Sequence, residues 1–557
     1  MRVNIISNNR NQTGLSQDVD LLHGIWCVLF PDAQVRRFHH AQPECDEGDV
    51  NIFMEILNPS LFVYAGLNIW IPNPEWTYTS WTPYFSQLDH IWCKTEHSAA
   101  LFAPHNTSVR HIGWTSISKN ESPKNYQKAI VVAGKNTFRH PQIVIDSYRL
   151  TPDTSLLPEL NVVYDSTRMN VVVPPGLENK IVLHPNTLHQ KEYDALLAEC
   201  GLAICISAGE GFGHAVNEAA STGCICMLND IPAFVELGYE SMWIPRNKVI
   251  PSDRIDTLYS TRVVDVFGGF DRYLGLSEEE KKRMSAQNAE MYRSKHLAWI
   301  ESMRTAITGL DIGEYSLEAS STPESELPGV TIVTPTRDRV AFMELCAGCV
   351  DSQCYPTDKL EWIVLDDGKD TCEDKIKHIP FARHILMMQG KTIAEKRNMG
   401  AHLAKFPVIV HFDDDDIYPP NSILFRVSML MRGGKGAVFC STIPCYDIKN
   451  LISFMNVPPQ HLTQSERVSE ATMAYKKTFW EEKGFPDEVK IAEGDAFIRG
   501  REHMCREISP QEVIVSLVHP RTTSSRKAPK GMEPNGCHFG FTDDLYKMLG
   551  RIAEQLS

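Results

Sequence analysis

The stretch Val408-Ile409-Val410-His411-Phe412-Asp413-Asp414-Asp415-Asp416-Ile417-Tyr418-Pro419-Pro420 decides how this chain is read. A β-branched run leads straight into four carboxylates, and the two prolines end any further strand pairing. Carboxylates crowded at the end of a buried strand repel one another and resist desolvation unless a cation neutralises them. Hard oxygen ligands in such a place suit Mg2+ or Mn2+, ions that commonly accompany a phosphate-bearing substrate. The plain alternative is a solvated acidic turn, and the surrounding sequence weighs against it.

The chain has 557 residues, more than one hydrophobic core usually holds, so two or three domains are expected. Residues 311–328 are rich in Ser, Glu and Pro and poor in large apolar side chains, which reads as a linker. A new strand opens directly after it, at Gly329-Val330-Thr331-Ile332-Val333-Thr334. Before the linker, apolar runs at residues 3–7, 50–56, 62–71, 129–133, 161–164, 181–184, 202–207 and 224–228 alternate with amphipathic stretches. That alternation predicts parallel sheets covered by helices on both faces. A polar stretch at 116–127 divides this region into halves of about 1–125 and 126–310. After the linker, runs at 330–334, 362–365, 384–387 and 408–412 predict a further unit over 329–557. The expected fold class is therefore α/β, with two Rossmann-like halves facing a cleft, followed by another Rossmann-like domain.

A formal net charge of −15 speaks against nucleic acid or an anionic membrane as partner. The N-terminus lacks a signal-peptide core, and no stretch approaches the ~18 apolar residues of a membrane span. Fifteen cysteines form an odd set without framework spacing, mostly inside apolar runs, which predicts buried thiols and a cytoplasmic protein. Cys346-Ala347-Gly348-Cys349 matches a CxxC pattern, but no second pair stands at zinc spacing.

Around the tetra-aspartate, three more features point to one pocket. Thr334, Pro335, Thr336 and Arg337 follow the opening strand, where amides and short hydroxyls can hold a base or ribose. Asp367 ends the next strand and can accept from a base N–H or a ribose hydroxyl. Arg397, in Ile393-Ala394-Glu395-Lys396-Arg397-Asn398, can reach a base or a phosphate. In order and spacing, residues 329–525 resemble inverting glycosyltransferases of the GT-A fold, those related to bacterial polysaccharide and chondroitin-type transferases. The resemblance implies that Asp413 and Asp414 contact ribose and donor sugar. It also implies that Asp415 ligates Mn2+ or Mg2+, as in the DxD motif of that family. It places a general base in Ala492-Glu493-Gly494-Asp495, with Asp495 first and Glu493 second, because the family's adjacent Glu-Asp pair is interrupted here by Gly494. An acidic first helical turn is the structural alternative for that segment. His519, ending another apolar strand, is either an additional metal ligand or a packed histidine, and Arg521 and Arg526 follow it.

Before the linker, Ile206-Ser207-Ala208-Gly209-Glu210-Gly211-Phe212-Gly213-His214 joins a strand to a helix through a glycine-rich turn, where amides can hold an anion. Glu218 follows Glu210 after seven intervening residues. This looks like the two-glutamate motif of retaining GT-B glycosyltransferases. By that resemblance Glu210 would contact the donor sugar and Glu218 the ribose, while Gly211, Phe212 and Gly213 would face sugar and diphosphate. Gly14 would bring the backbone close to the diphosphate, and Lys135 with Arg139 would neutralise it, in reversed order relative to the family. Trp70, Trp76, Tyr78, Trp81 and Tyr84 either stack on sugar rings or pack ordinarily.

The resemblances together imply a bifunctional glycosyltransferase that uses UDP-sugars by default, with GDP-sugars possible for the N-terminal half, and a glycan acceptor. One active domain beside a non-catalytic carbohydrate-binding module is the alternative. A metal-dependent phosphoryl or nucleotidyl transferase is a more distant one.

Overall fold

Buried β-branched runs pair as parallel strands in two successive sheets before the linker. The computed structural model describes residues 1–8, 14–42, 44–119, 122–186, 188–316, 326–489, 491–522, 526–537 and 539–556, so most of the expected linker (317–325) lies outside the described residues. Two compact units are distinguished: Met1–His40, Gly48–Leu57 and Gly66–Glu314 in the first; Ala41–Glu47, Asn58–Ala65 and Tyr315–Ser557 in the second.

In the first unit, β1 (Arg2–Ser7), β2 (Gln34–His39), β3 (Gly48–Met54), β4 (Ala65–Ile71), β5 (His90–Cys93) and β6 (Val109–His111) form a sheet in the order β2-β1-β3-β4-β5-β6. A second sheet comprises β7 (Asn125–Gly134), β8 (Glu159–Tyr164), β9 (Ile181–Pro185), β10 (Cys200–Cys205), β11 (Ile225–Asn229) and β12 (Ser241–Ile244). Its order is β12-β11-β10-β7-β8-β9, with all neighbours parallel. The direction of winding reverses between β7 and β10, the place where doubly wound sheets bind ligands beyond their strand ends.

Sequence patterning found eight of these strands and missed β2, β5, β6 and β12. Three of the four missed strands are sheet edges, and β2 (Gln-Val-Arg-Arg-Phe-His) has only two apolar residues, Val35 and Phe38. An edge strand needs no continuous apolar run, because one flank meets solvent. The run predicted at 62–71 begins as a 3-10 turn, Pro59–Tyr64, before β4. Trp70, Trp81 and Tyr84 prove to be core residues, with Trp70 5.0 Å from the Phe85 ring and 5.1 Å from Phe102.

In the second unit, β15 (Val330–Thr336), β16 (Leu360–Asp366), β17 (Ala382–Leu386) and β18 (Val408–His411) are parallel neighbours in the order β17-β16-β15-β18; the labels β13 and β14 denote the hairpin Val249–Ile250 and Leu258–Tyr259 of the first unit. The sheet continues through the antiparallel β23 (Ala474–Lys476) to β20 (Ala437–Phe439) and β24 (Cys505–Glu507). A smaller sheet joins β19 (Asp416–Ile417), β25 (Val515–Val518), β21 (Ile443–Asp447) and β22 (Ile452–Asn456). Helix Ile393–Leu403 lies directly on the main sheet because Gly400 permits it: a Cβ there would stand 2.4 Å from Val333 Cγ1. Cys346 and Cys349 are buried on helix Val340–Asp351, where Cys349 Sγ accepts the Tyr418 N–H. Among the described residues no helix is long and apolar enough to cross a membrane.

Within the first unit a buried ion cluster ties its two sheets together. Asp18, on helix Gly14–Leu29, pairs with Lys94 Nζ at 2.6 Å and His214 Nε2 at 2.7 Å, and accepts from Trp114 Nε1. Burial alone would raise the Asp18 pKa, but Lys94 and His214 outweigh it and hold the carboxyl at about 2. Asp18→Asn leaves Lys94 buried and unpaired, which is expected to cost about 3–5 kcal/mol. The stabilisation from Asp18 is present above its unfolded value of about 4 and is lost as pH falls towards about 2. Thermal unfolding of parent and variant at pH 7 and pH 3 should therefore show a gap that narrows in acid.

Candidate functional site

The carboxyl ends of β15, β16 and β18 converge on one cluster in the second unit. Side chains alternate along the acidic stretch: Asp413 is 28 % exposed, Asp414 1 % and Asp415 14 %. Asp414 turns into the fold, accepting from Thr336 Oγ1 at 2.6 Å and Arg339 Nη1 at 2.9 Å. Burial and the neighbouring Asp415 push Asp414 up to about 6 against the pull of Arg339. The same Arg339 Nη1 donates to Asp415 Oδ2 at 2.6 Å, while Arg339 Nη2 donates to the Arg521 carbonyl at 3.3 Å. Asp416 belongs to β19, accepts from the Leu517 N–H, and is pushed up to about 8 by burial and Asp415.

The loop is fixed from below. Tyr418 stacks on Phe412 with centroids 3.8 Å apart, and its hydroxyl accepts the Asp413 N–H at 2.7 Å. Arg426, fully buried, lies 5.0 Å and 5.5 Å from those two rings and donates to the carbonyls of His411 and Ser422. Beside the loop, Arg397 Nη2 donates to Asp413 at 3.0 Å and Nη1 stands 3.2 Å from Glu493 Oε1. Its Nε and Nη1 have no hydrogen-bond partner among the described residues, although the side chain is 2 % exposed.

Glu493 therefore faces the cluster, whereas Asp495 pairs with Arg499 one turn along the surface of helix Glu493–Ile498. Ala492, with φ of 58°, adopts the left-handed region that favours glycine and turns Glu493 inward. Gly494 separates the two acids because Glu470 packs against it: a Cβ would meet Glu470 Cγ at 2.7 Å, and Glu470 accepts the Gly494 N–H. Burial raises the Glu493 pKa against the opposing charge of Arg397.

Of the remaining expected residues, Thr334 turns inward and accepts from Trp362 Nε1, while Pro335 ends in the strand itself. Arg337 is half-exposed and 4.0 Å from Asp367. Asp367 accepts the N–H groups of Gly390 and Lys391 on Oδ2, while its buried Oδ1 faces the Lys396 ammonium. The neighbouring Asp366, Cys372 and His384 bring their polar atoms within 4.8 Å of one another, with Asp366 accepting from both partners.

A divalent cation fits the donor set. Asp415 Oδ2 and His519 Nε2 are 3.1 Å apart, the spacing of adjacent ligands around an ion with bonds of about 2.1 Å. The Arg521 N–H donates to His519 Nδ1 at 3.2 Å, which assigns the ring proton to Nε2, so ligation through Nε2 would require that amide contact to be given up.

Residues 331–482 match the family described as Glycosyl transferase family 2. The C-terminal unit carries a glycosyltransferase domain of that kind. Two curated mannosyltransferases also share short segments with the chain. Both are GDP-mannose:cellobiosyl-diphosphopolyprenol alpha-mannosyltransferases, from Xanthomonas oryzae pv. oryzae and Xanthomonas campestris. They are 38% and 39% identical over 77 and 80 residues, which is 14% of this chain and 20% of each relative. The matched stretch thus spans about one fifth of the length of those relatives. Among solved structures, the mannosyltransferase PcManGT of Pyrobaculum calidifontis, in complex with GDP-Man and Mn2+, is 20% identical. It covers 36% of this chain and 60% of its own, with a TM-score of 0.28. The S. aureus TarS fragment 1–349 with UDP is 14% identical and covers 34% and 61%, with a TM-score of 0.29.

In the first unit, the turn after β10 and the turn after β7 meet at the switch point. His140 N donates to Ile206 O and Ala208 N to Phe138 O, which aligns Arg139 with Glu210. Arg139 Nε and Nη2 donate to the two Glu210 oxygens at 2.6 and 3.2 Å, and Asn136 adds a contact at 3.3 Å. Lys135 is exposed on the same turn. Glu218 accepts from Gln17 Nε2 at 2.6 Å and Tyr193 Oη at 2.7 Å. Gly213, with φ of 91°, opens helix His214–Ser221, and Phe212 is buried beside it. Gly14 is where His214 packs, 3.0 Å from where a Cβ would be.

The glycines of this turn also make room for the loop that carries Asn73, Glu75, Trp76 and Tyr78. A Cβ on Gly211 would stand 2.6 Å from Asn73 Oδ1 and 2.9 Å from Glu75 Oε2. Trp76 packs against Phe138 with ring centroids 4.3 Å apart and planes tilted by 32°, and Arg254 lies 3.6 Å from the Tyr78 ring centroid, so these two aromatics secure the loop. Glu75 is buried, and its Oε2 has no hydrogen-bond partner among the described residues. Burial, reinforced by Glu210 and Glu55, raises its pKa well above the ordinary value. The sequence sets Glu75 beside the aromatic cluster but gives no sign of its charge, and it gives Arg339 and Lys396 no role, because these roles arise from contacts with segments distant in the chain. A raised carboxyl contributes stability that is complete below the unfolded value and is lost as pH climbs through the folded one. Glu75→Gln, which cannot ionise, should therefore melt like the parent at pH 4 and above it at pH 8 by thermal unfolding.

Proposed function

We propose that this chain transfers sugars from nucleotide-sugar donors to a glycan acceptor, with the C-terminal cluster as an inverting, cation-assisted site. The observation that carries this reading is Arg397, which joins Asp413 on the donor side to Glu493 on the other. Asp413 and Arg397 would orient ribose and donor sugar. Glu493 is better placed than Asp495 to take the acceptor hydroxyl's proton, since it faces the cluster and burial strengthens its hold on a proton. Asp415 and His519 would hold Mn2+ or Mg2+, which when bound offsets the charge of the departing diphosphate. UDP- and GDP-linked donors both agree with what the similar proteins named above bind.

We read the N-terminal unit as a second, retaining transferase of the GT-B type that needs no metal. Support comes from Glu210 and Arg139 at the switch point and from Glu218, about one turn into the following helix. A non-catalytic carbohydrate-binding role is the second reading, favoured by the way Gln17, Tyr193 and Arg139 already engage both glutamates.

The test is nucleoside-diphosphate release from UDP- and GDP-sugars with simple sugar acceptors, with Mn2+ or with chelator. Glu493→Gln and Asp415→Asn should each lower metal-dependent release by about 100-fold or more. Glu218→Gln should remove a separate, chelator-resistant release. Full turnover in Glu493→Gln alongside loss in Asp495→Asn would return the base to Asp495. A parent chain whose entire release depends on metal and ignores Glu218→Gln would leave the N-terminal unit a binding module.

A further inference from the structure

Arg339 occupies an unusual place. Its Nη1 lies 2.9 Å from Asp414 and 2.6 Å from Asp415, and the side chain is largely buried. One guanidinium nitrogen thus bridges two adjacent carboxylates on the side where Asp415 and His519 come together. The second nitrogen is anchored on the Arg521 carbonyl, so the fork is held from both ends. No lysine or other arginine pairs with Asp414 or Asp415 among the described residues. A carboxylate cluster this deeply buried requires a positive charge, and here the chain supplies its own.

We propose that Arg339 is an internal counter-ion for the aspartate cluster, displaced from Asp415 when a divalent cation binds and then available to pair with the nucleotide's diphosphate. This rests on reading the cluster as a cation-assisted nucleotide-sugar site. Two positive charges cannot share Asp415 Oδ2 at bonding distance without strong repulsion, so cation and guanidinium compete for it. A guanidinium is also suited to phosphate oxygens, which its fork can engage in two places. Cation alone should then bind weakly, and cation with nucleoside diphosphate should bind well, because the diphosphate gives Arg339 a new partner.

The test is Mn2+ binding to the full chain, read from loss of the free-ion electron-paramagnetic-resonance signal, without nucleotide and with UDP or GDP. Arg339→Gln should bind Mn2+ alone about tenfold more tightly than the parent, yet gain less than the parent when nucleotide is added. A second reading needs no variant: phenylglyoxal modification of Arg339 in the parent, located by mass spectrometry, should accelerate with Mn2+ and slow again with Mn2+ plus nucleoside diphosphate. Unchanged or weaker Mn2+ binding by a folded Arg339→Gln, or modification that Mn2+ fails to accelerate, overturns the proposal. Asp415→Asn separates the two levels of the argument. If it binds Mn2+ as the parent does, the cluster is not the cation site; if it loses Mn2+ while the Arg339 measurements stay flat, only the counter-ion role fails.

Discussion

Everything in the C-terminal unit is arranged around the repulsion among Asp413, Asp414, Asp415 and Asp416. Four carboxylates at the end of β18 cannot all stay ionised without help, and burial has already pushed Asp414 to about 6 and Asp416 to about 8. The help comes as charge and as geometry. Arg339, just before helix Val340–Asp351, and Arg397, within helix Ile393–Leu403, supply positive charge, and alternation of the backbone sends Asp414 inward while Asp413 and Asp415 remain reachable. The Phe412–Tyr418 stack and buried Arg426 then hold the loop so that these directions persist. Such a cluster is poorly suited to a purely structural role, since apolar side chains of similar volume would fill the same space at lower cost.

The first unit applies the same constraint with a different solution. Loops beyond its strand ends also gather acids, namely Glu210, Glu75 and Glu55, with Glu218 on the helix that follows, but Arg139 neutralises Glu210 directly and burial keeps Glu75 predisposed to carry a proton. Arg139 thus balances Glu210 from within the chain, whereas in the aspartate cluster Arg339 bridges Asp414 and Asp415 and Arg397 pairs with Asp413.

Much of this was legible in the sequence wherever an element is buried on both faces. The strands carrying Asp367 and Asp413, and the one before Glu210, are continuous apolar runs, and the residues that end them stand at the strand ends as expected. Edge strands such as β2 and β6 escaped because solvent on one flank removes the need for an apolar pattern. Within the site, the sequence pointed to Arg337 after β15 and gave Arg339 no role. Arg337 extends towards solvent, whereas Arg339, two residues later, reaches the aspartates. The choice between Glu493 and Asp495 was equally hidden, because it turns on the left-handed Ala492 and on Glu470 packing against Gly494.

The measurement that bears most directly on this account is the number of nucleoside-diphosphate molecules bound per chain, by equilibrium dialysis against labelled UDP and GDP with Mn2+ and then with EDTA. The account predicts two bound molecules per chain when Mn2+ is present and one when it is chelated. Equal occupancy under both conditions would contradict the assignment of the aspartate cluster as a cation-dependent nucleotide site.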